Sequence, residues 1–430
     1  MSRISRQVIS LSEYKTVSPT RLGSVEDEIF EQTENKSLEE LELTPEDQKL
    51  HNYLQQRGIL LIRELKKGLE ISATSYIGVA RFSNFAVEVT PKVLMKSENL
   101  PKLIEYAYDL EDIVIPESEI KFEDAKNQLI EIIITSFVKK CQQLLRQGLI
   151  KSYVTHEDNI PYLRGKLLLQ QQFLNVMHKK LEFACEFDEL EYNNIENQIL
   201  RFCLEQCYYI TSIESLKKEI RRLIHQLSGF VESVPITLDD FNKITYTRLN
   251  HHYNKIHQLC KLILTSTGIS EFYNQKVPFV NSFFVDMNVI FEVFVAKLFE
   301  QFYPLPSEAQ KGKGAWITDI GGSSNIRTDI LIYDDNGKAK SIIDTKYKKR
   351  LSEADRFQIG FYIHEYKKSE GFAILPKHSE SKDQKFISKE QKIAINVRYI
   401  DIDEAIELLY STNPKDIDKL KTVIKELVPI

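Results

Sequence analysis

The chain has 430 residues, 57 of them Lys or Arg and 62 Asp or Glu, for a formal net charge of -5. That length exceeds one ordinary core and implies two or three domains, while the acidic balance excludes wholesale coating of nucleic acid and confines any DNA contact to a local basic patch. The five cysteines (Cys141, Cys185, Cys203, Cys207, Cys260) form no C-x-x-C pair, which argues against zinc and iron–sulfur sites; the longest apolar stretch, Leu129 to Val138, is broken by Glu131 and too short to cross a bilayer, so a cytoplasmic protein with no membrane partner is expected.

Residues 1–115 read as a β-rich N-terminal domain. A short strand is expected at Val8 to Leu11, then an acidic flexible segment over about residues 20–47, densest from Glu26 to Asp47, whose apolar residues are scattered. An amphipathic helix is expected from His51 to Glu64. Strands follow at Leu69 to Ile77, Gly78 to Phe82 and Phe85 to Thr90, with a turn at Ser83-Asn84 and Pro91 closing the last. Helical spacing resumes from Leu100 to Leu110.

Residues 116–280 read as a helical middle region. Phe122 to Gln147 carries a wide apolar stripe through Leu129, Ile132, Ile133, Phe137 and Leu144, and helices are expected to dominate as far as Leu264. Within it, Arg164 reads as a surface turn residue and Asp188 as a helix N-cap.

Residues 281–430 carry the chemistry. Phe283 to Phe302 reads as a strongly apolar helix with Asp286 and Glu292 among its few acids; an acid on such a face is either at its wet margin or a ligand. A glycine-containing loop from Asp319 to Ser324 leads into a β-hairpin, Ile326 to Tyr347, with its turn at Asn336-Gly337. If those two residues are the whole loop, Ile332 faces Ser341, Ile330 faces Ile343 and Asp329 faces Asp344. Lys346, two residues on, points the same way. Like charges facing each other destabilise a ladder, and the surrounding Ile and Leu offer no hydration, so a divalent metal is the natural neutraliser. Mg²⁺ takes one or two carboxylates plus water and substrate phosphate, and an adjacent lysine orients water or stabilises developing charge, which is the chemistry of phosphodiester hydrolysis. Spacing alone fits a surface hairpin with solvated Asp and Lys equally well; the apolar runs on both strands favour a central one. Lys346, Lys348, Lys349 and Arg350 form the local basic patch. Beyond it, Glu353 to Tyr366 reads as a helix with Gln358 and Tyr362 on one face. Strands at Phe372 to Leu375 and Ile393 to Ile400 precede terminal helices, and this order predicts a mixed sheet flanked by helices within an α+β chain.

Several separated stretches together resemble one family, the McrC subunit of McrBC-type, 5-methylcytosine-specific restriction systems. They are Leu11-Ser12-Glu13-Tyr14, the segment Gly78 to Val93, Leu163-Arg164-Gly165-Lys166, Phe187 to Leu200, Asp286 to Val295 and the hairpin, where Asp329 and Asp344-Thr345-Lys346 resemble the PD-(D/E)xK nuclease core. The resemblance implies that Asp329, Asp344 and Lys346 are catalytic and that Asp329, Asp344 and Glu292 bind the metal. It implies that Gln358 and Tyr362 are a Q-x-x-x-Y element beside the site, with Lys348, Lys349 and Arg350 supporting the site or binding DNA. It further implies that residues 281–430 are an endonuclease domain and that the middle region docks an McrB-like AAA+ GTPase, with Arg164 a candidate partner contact. The chain has no G-x-x-x-x-G-K-[ST] loop, so any nucleotide belongs to the partner. The expected function is a Mg²⁺-dependent DNA endonuclease subunit that stimulates that motor. The alternatives are a catalytically inert nuclease-fold activator of the motor and a stand-alone RecB-like repair nuclease.

Overall fold

The computed structural model describes residues 7–19, 31–35, 38–91, 95–108, 125–211, 213–267, 282–317, 323–390 and 392–429. Contacts divide the chain into two compact units, one of Met1–Leu110 with Asn281–Ile430 and one of Glu111–Val280. The three stretches read from the sequence, 1–115, 116–280 and 281–430, are thus gathered into two, because the first and third share a sheet and helix packing.

In the N-terminal part of the first unit the elements are β1 (Gln7–Ser12), β2 (Lys15–Ser18), β3 (Glu31–Glu34), α1 (Gln48–Gln56), β4 (Leu60–Leu65), β5 (Gly68–Ala73), β6 (Tyr76–Arg81), β7 (Phe85–Thr90) and α2 (Leu100–Tyr108). The helix expected over His51 to Glu64 is instead a helix and a strand. Gly58 takes φ +62 just past α1, and the aliphatic run Leu60-Leu61-Ile62 then extends as β4. Strands β3-β2-β5-β4 form one sheet, while β1 pairs in parallel with β7, which is antiparallel to β6. Of the acidic segment, residues 20–30 and 36–37 lie outside the described residues.

The second unit contains α3 (Ala125–Gln147), β8 (Ser152–Ile160), β9 (Lys166–Leu167), α4 (Leu169–Met177), β10 (Phe183–Glu191), α5 (Ile195–Ile210), α6 (Glu214–Leu227) and α7 (Asn254–Thr267). The expectation of helices throughout is corrected: β8, β10 and β9 form a three-stranded antiparallel sheet. Asp188 lies in β10 and accepts a hydrogen bond from Thr155 Oγ1 at 2.7 Å, whereas α5 is capped by Asn194, whose side chain accepts the Asn197 N–H at 3.1 Å. The helical core packs Ile133 and Phe137 of α3, Phe202 and Leu204 of α5, Leu223 of α6 and Ile263 of α7. All five cysteines are free and buried.

The chain then returns to the first unit with β11 (Ser282–Asp286), α8 (Met287–Phe302), β12 (Ser307–Ile317), β13 (Ser323–Tyr333), β14 (Ala339–Thr345), α9 (Glu353–Glu365), β15 (Glu370–Pro376), β16 (Gln384–Ile387), β17 (Ala394–Ile400), α10 (Ile402–Leu409) and α11 (Pro414–Leu427). The single helix expected from Phe283 is corrected at its start. Phe283-Phe284-Val285 favour an extended backbone, pair as β11 against β6, and stop where the Asp286 side chain accepts the Asn288 N–H at 2.9 Å and caps α8. Residues 318–322, most of the expected glycine-containing loop, lie outside the described residues. A six-stranded mixed sheet in the order β12-β13-β14-β15-β17-β16 follows. Its pairs β14–β15 and β15–β17 are parallel and the others antiparallel. Ile330, Leu331 and Ile332 of β13 and Ile342 and Ile343 of β14 are all buried, so this hairpin is covered on both faces. Ile359, Tyr362 and Ile363 of α9 pack on Leu331, Ile342, Ala373 and Leu375, and α8 contacts β12, β13 and β14. Among the described residues no helix is long and apolar enough to cross a membrane.

Candidate active site

The hairpin keeps the expected register along its length, with Ile330 opposite Ile343 and Ile332 opposite Ser341, then slips by one residue so that Tyr333 meets Ala339. The slip comes from the turn, which is longer than Asn336-Gly337. The Asp334 carboxylate accepts N–H groups from Asn336 at 3.0 Å and Lys338 at 2.8 Å, while Gly337 turns at φ +71.

Beyond Ile330 and Ile343 the strand pair delivers its acids. Asp329 Oδ2 accepts the Thr345 N–H at 2.6 Å and the Thr345 hydroxyl at 2.9 Å, which fixes that carboxylate against the end of β14. Thr345, whose hydroxyl completes this contact, was not singled out by the sequence; only its position between the acid and the lysine hinted at a role. Asp344 is 1% exposed, and its Oδ2 lies 2.7 Å from Lys346 Nζ. Burial pushes the Asp344 carboxyl up to about 7, and Asp329 adds to this while Lys346 opposes it. Glu292, on α8, is likewise pushed up to about 7, first by burial and then by Asp329, with Asp344 contributing in the same direction. Burial works against the charge of Lys346, but Asp344 beside it more than offsets this, and its pKa is raised. The three acids and the lysine named from the sequence are therefore electrostatic neighbours in one site.

Gln358 and Tyr362 meet as expected, Gln358 Nε2 donating to the Tyr362 hydroxyl at 2.9 Å. Tyr362 stands in the same field: burial raises its pKa, Asp344 and Asp329 push it the same way, and Gln358 and Lys346 oppose. The basic patch divides. Lys348 Nζ lies 2.6 Å from Asp355, the residue that closes a capping box with Ser352 at the start of α9, so this lysine holds the helix that carries Gln358 and Tyr362. The Lys349 carbonyl accepts from His378 Nε2 at 3.0 Å, and the Arg350 side chain, 82% exposed, reaches Glu380 at 3.5 Å. Arg164 lies in the other unit, with its guanidinium 4.4 Å from the Phe187 ring centroid and 3.5 Å from Glu189.

Among the described residues, the group of three or more His, Cys, Asp or Glu whose ligand atoms lie within 4.8 Å of one another is His156, Glu189 and Glu191, in the second unit. Asp329, Asp344 and Glu292 are spread more widely. Oxygens on one Mg²⁺ lie at most about 4.2 Å apart, so an ion here takes one or two of these carboxylates directly and fills the rest of its shell with water and a substrate oxygen.

The family model for the McrBC 5-methylcytosine restriction system component matches residues 71–376. Two solved structures are similar. One is a refined half-complex from a tetradecameric assembly of Thermococcus gammatolerans McrB AAA+ hexamers with bound McrC, at 18% identity and a TM-score of 0.48, covering 98% of this chain and 100% of that one. The other is a cryo-EM structure of the Thermococcus gammatolerans McrBC complex, at 20% identity and a TM-score of 0.42, covering 69% of this chain and 88% of that one. No curated protein matches.

Proposed function

The chain belongs to the family of the McrBC 5-methylcytosine restriction system component, and from that premise we propose that it is the nuclease subunit of such a system, hydrolysing DNA phosphodiesters with Mg²⁺. The observation that carries this reading is the gathering of Asp329, Asp344, Glu292 and Lys346 at the end of a strand pair buried on both faces. The donor set fits the ion. Asp344 Oδ2 is buried and, apart from its ion pair with Lys346, has no aligned hydrogen bond, and burial, with the charge of Asp329 beside it, pushes the Asp344 and Glu292 carboxyls up to about 7 despite Lys346. All three donors are hard oxygens, which favour Mg²⁺ over a soft metal. Asp329 and Asp344 would hold it, with Glu292 joining through a coordinated water. When bound, the ion supplies Lewis-acid polarisation of a phosphate oxygen and acidifies a coordinated water.

The protein's own groups set the stage for that chemistry. Thr345 fixes one oxygen of Asp329 and leaves the direction of the carboxylate little freedom. Lys346 stays an ammonium, so it donates hydrogen bonds and offers positive charge to a water or to the developing phosphorane, and does not act as a base. Gln358 orients the Tyr362 hydroxyl near the same carboxylates. Arg350, the exposed member of the basic patch, is our candidate for meeting a phosphate backbone.

For the partner, an AAA+ motor docked on the second unit is the reading we carry to this chain. Its support is a surface property: Tyr162, Leu163, Leu169, Phe173, Met177 and Leu181 are exposed, Leu181 at 95%, clustered within one short stretch around β9 and α4. Apolar exposure of this density marks an interaction surface.

The test is a cleavage assay on methylated and plain DNA with an McrB-type partner, GTP and Mg²⁺. Wild type is expected to cut, and Asp344→Asn to cut nothing while still stimulating GTP hydrolysis. Undiminished cleavage by Asp344→Asn, or none by wild type, overturns the reading.

A further inference from the structure

Lys346 is the site residue whose backbone is held most elaborately, and the holding comes from the far end of the chain. The residue after it, Tyr347, is 1% exposed, and its hydroxyl donates to Glu13 Oε1 at 2.8 Å. Tyr14 returns the contact, its hydroxyl donating to the Tyr347 carbonyl at 2.6 Å. Glu13 is fully buried, and the turn that carries both residues is itself fastened. The Glu13 N–H donates to the Thr90 carbonyl at 3.0 Å and the Tyr14 N–H to the Thr74 carbonyl at 3.4 Å. Tyr14 takes φ 57, a left-handed backbone unfavourable for a bulky residue, which persists where the surroundings over-determine it. Phe291 of α8, one residue before Glu292, lies against the Tyr347 ring at 5.7 Å between centroids.

The remaining backbone contacts complete the restraint. The Lys346 N–H donates to the Ile374 carbonyl at 3.0 Å, its carbonyl accepts the Lys348 N–H at 2.9 Å, and the Lys348 side chain is tied to Asp355. Stability alone gives little reason to bury a carboxyl on a phenol where apolar side chains would pack, whereas a buried hydrogen-bonded network fixes one arrangement. We propose that Glu13, Tyr14 and Tyr347 are positioning residues for Lys346, so that the N-terminal turn is a working part of the cleavage site. The proposal rests on the nuclease reading above. It assigns these three residues a role in rate through the placement of Lys346, with none in binding DNA, metal or the motor.

The experiment compares wild type, Tyr14→Phe, Tyr347→Phe, Glu13→Ala and Glu13→Gln in the full-length protein with its motor. Steady-state cleavage gives kcat and KM for DNA. Thermal melts with and without Mn²⁺ report folding and metal binding, and motor stimulation reports the second unit. Tyr14→Phe, Tyr347→Phe and Glu13→Ala are expected to lower kcat by about tenfold to a hundredfold, the scale of a reacting group displaced by about 1 Å. KM, the Mn²⁺ shift and motor stimulation stay as in wild type. Glu13→Gln, which keeps an acceptor oxygen for the Tyr347 hydroxyl, recovers most of the rate lost in Glu13→Ala. Unchanged kcat in Tyr14→Phe and Glu13→Ala overturns the clamp, and so does a loss of the Mn²⁺ shift in step with kcat, which marks a merely structural role. Should Tyr347→Phe fail to fold, the other three variants decide. A wild type that cuts no DNA defeats the nuclease reading and the clamp together, whereas a cutting wild type with equally fast variants defeats the clamp alone.

Discussion

Shielded titratable groups show how differently the two units respond to solution conditions. In the first unit, Asp344 and Glu292 are carboxyls whose burial and whose repulsion by Asp329 disfavour charge, so a divalent cation that binds only the folded state should stabilise it by mass action. Adding Mg²⁺ is expected to raise the melting temperature of wild type and to leave Asp329→Asn/Asp344→Asn unmoved; chelator should erase the wild-type shift. An equal shift in both proteins places the ion elsewhere. In the second unit, His257 is 1% exposed, accepts from the Tyr246 hydroxyl at Nδ1 at 2.9 Å, and lies 3.1 Å through Nε2 from the Glu196 carbonyl, which can only accept, so Nε2 carries the proton and the ring is neutral. Burial pushes its pKa down to about 4. The unfolded chain protonates this histidine near its ordinary value of 6.5 while the fold refuses the proton. Its contribution is therefore complete above pH 6.5 and is lost as the pH falls toward 4, a loss of about 3 kcal/mol for a fully buried imidazole. Urea denaturation of wild type and His257→Gln at pH 7.5 and 5 measures this; the variant should have the flatter pH dependence.

Elements were legible in the sequence where one physical signal dominated. The β13–β14 register was readable because a turn dipeptide and two aliphatic strands fix the parity of the pairing; the slip at Tyr333 was not, since it arises from the Asp334 side chain capturing two backbone N–H groups. Strands β8 and β10 escaped because both of their faces are largely exposed and FACEFDELE carries acids along its length, so no alternation marks it. Strand β12 escaped for a related reason: it is an edge strand rich in Lys and Gly, SEAQKGKGAWI, as edges that resist aggregation tend to be. The carboxylates and Lys346 were visible as charge in apolar surroundings, but Glu13 and Tyr14 were quoted only for a family resemblance, because a contact spanning more than 330 positions leaves no local pattern. Strand β11 hid inside an apolar run that also suits a helix. Its pairing with β6 depends on Gly78, at φ +150, where an added Cβ would lie 1.9 Å from the Phe283 carbonyl oxygen. Gly78→Ala is expected to destabilise the first unit by about 1–3 kcal/mol, the scale of overpacking. It should also lower cleavage, because β11 leads directly into the helix that carries Glu292. A variant that melts and cuts like wild type shows that the two strands need not touch.

At the scale of the whole molecule, the first unit is written in two pieces separated by the second. A protein ending at Thr267 therefore loses β11 from the sheet β1-β7-β6-β11 and loses α8 from beneath α2. Its N-terminal 110 residues should be digested rapidly in limited proteolysis, while a fragment spanning about residues 111–267 persists. Survival of the N-terminal part at full-length rates counts against the shared core.

The pairing of β6 with β11 also sets an order of events during synthesis. Strand β6 ends at Arg81 and its partner begins at Ser282, so at about 5–20 residues per second the ribosome needs on the order of 10–40 s to supply the missing edge. Through that interval the nascent chain can mature the second unit, while the candidate site still lacks Glu292, Asp329, Asp344, Lys346 and every strand of the six-stranded sheet. A chain truncated anywhere in its first two thirds thus carries none of the candidate site's acids and not its lysine.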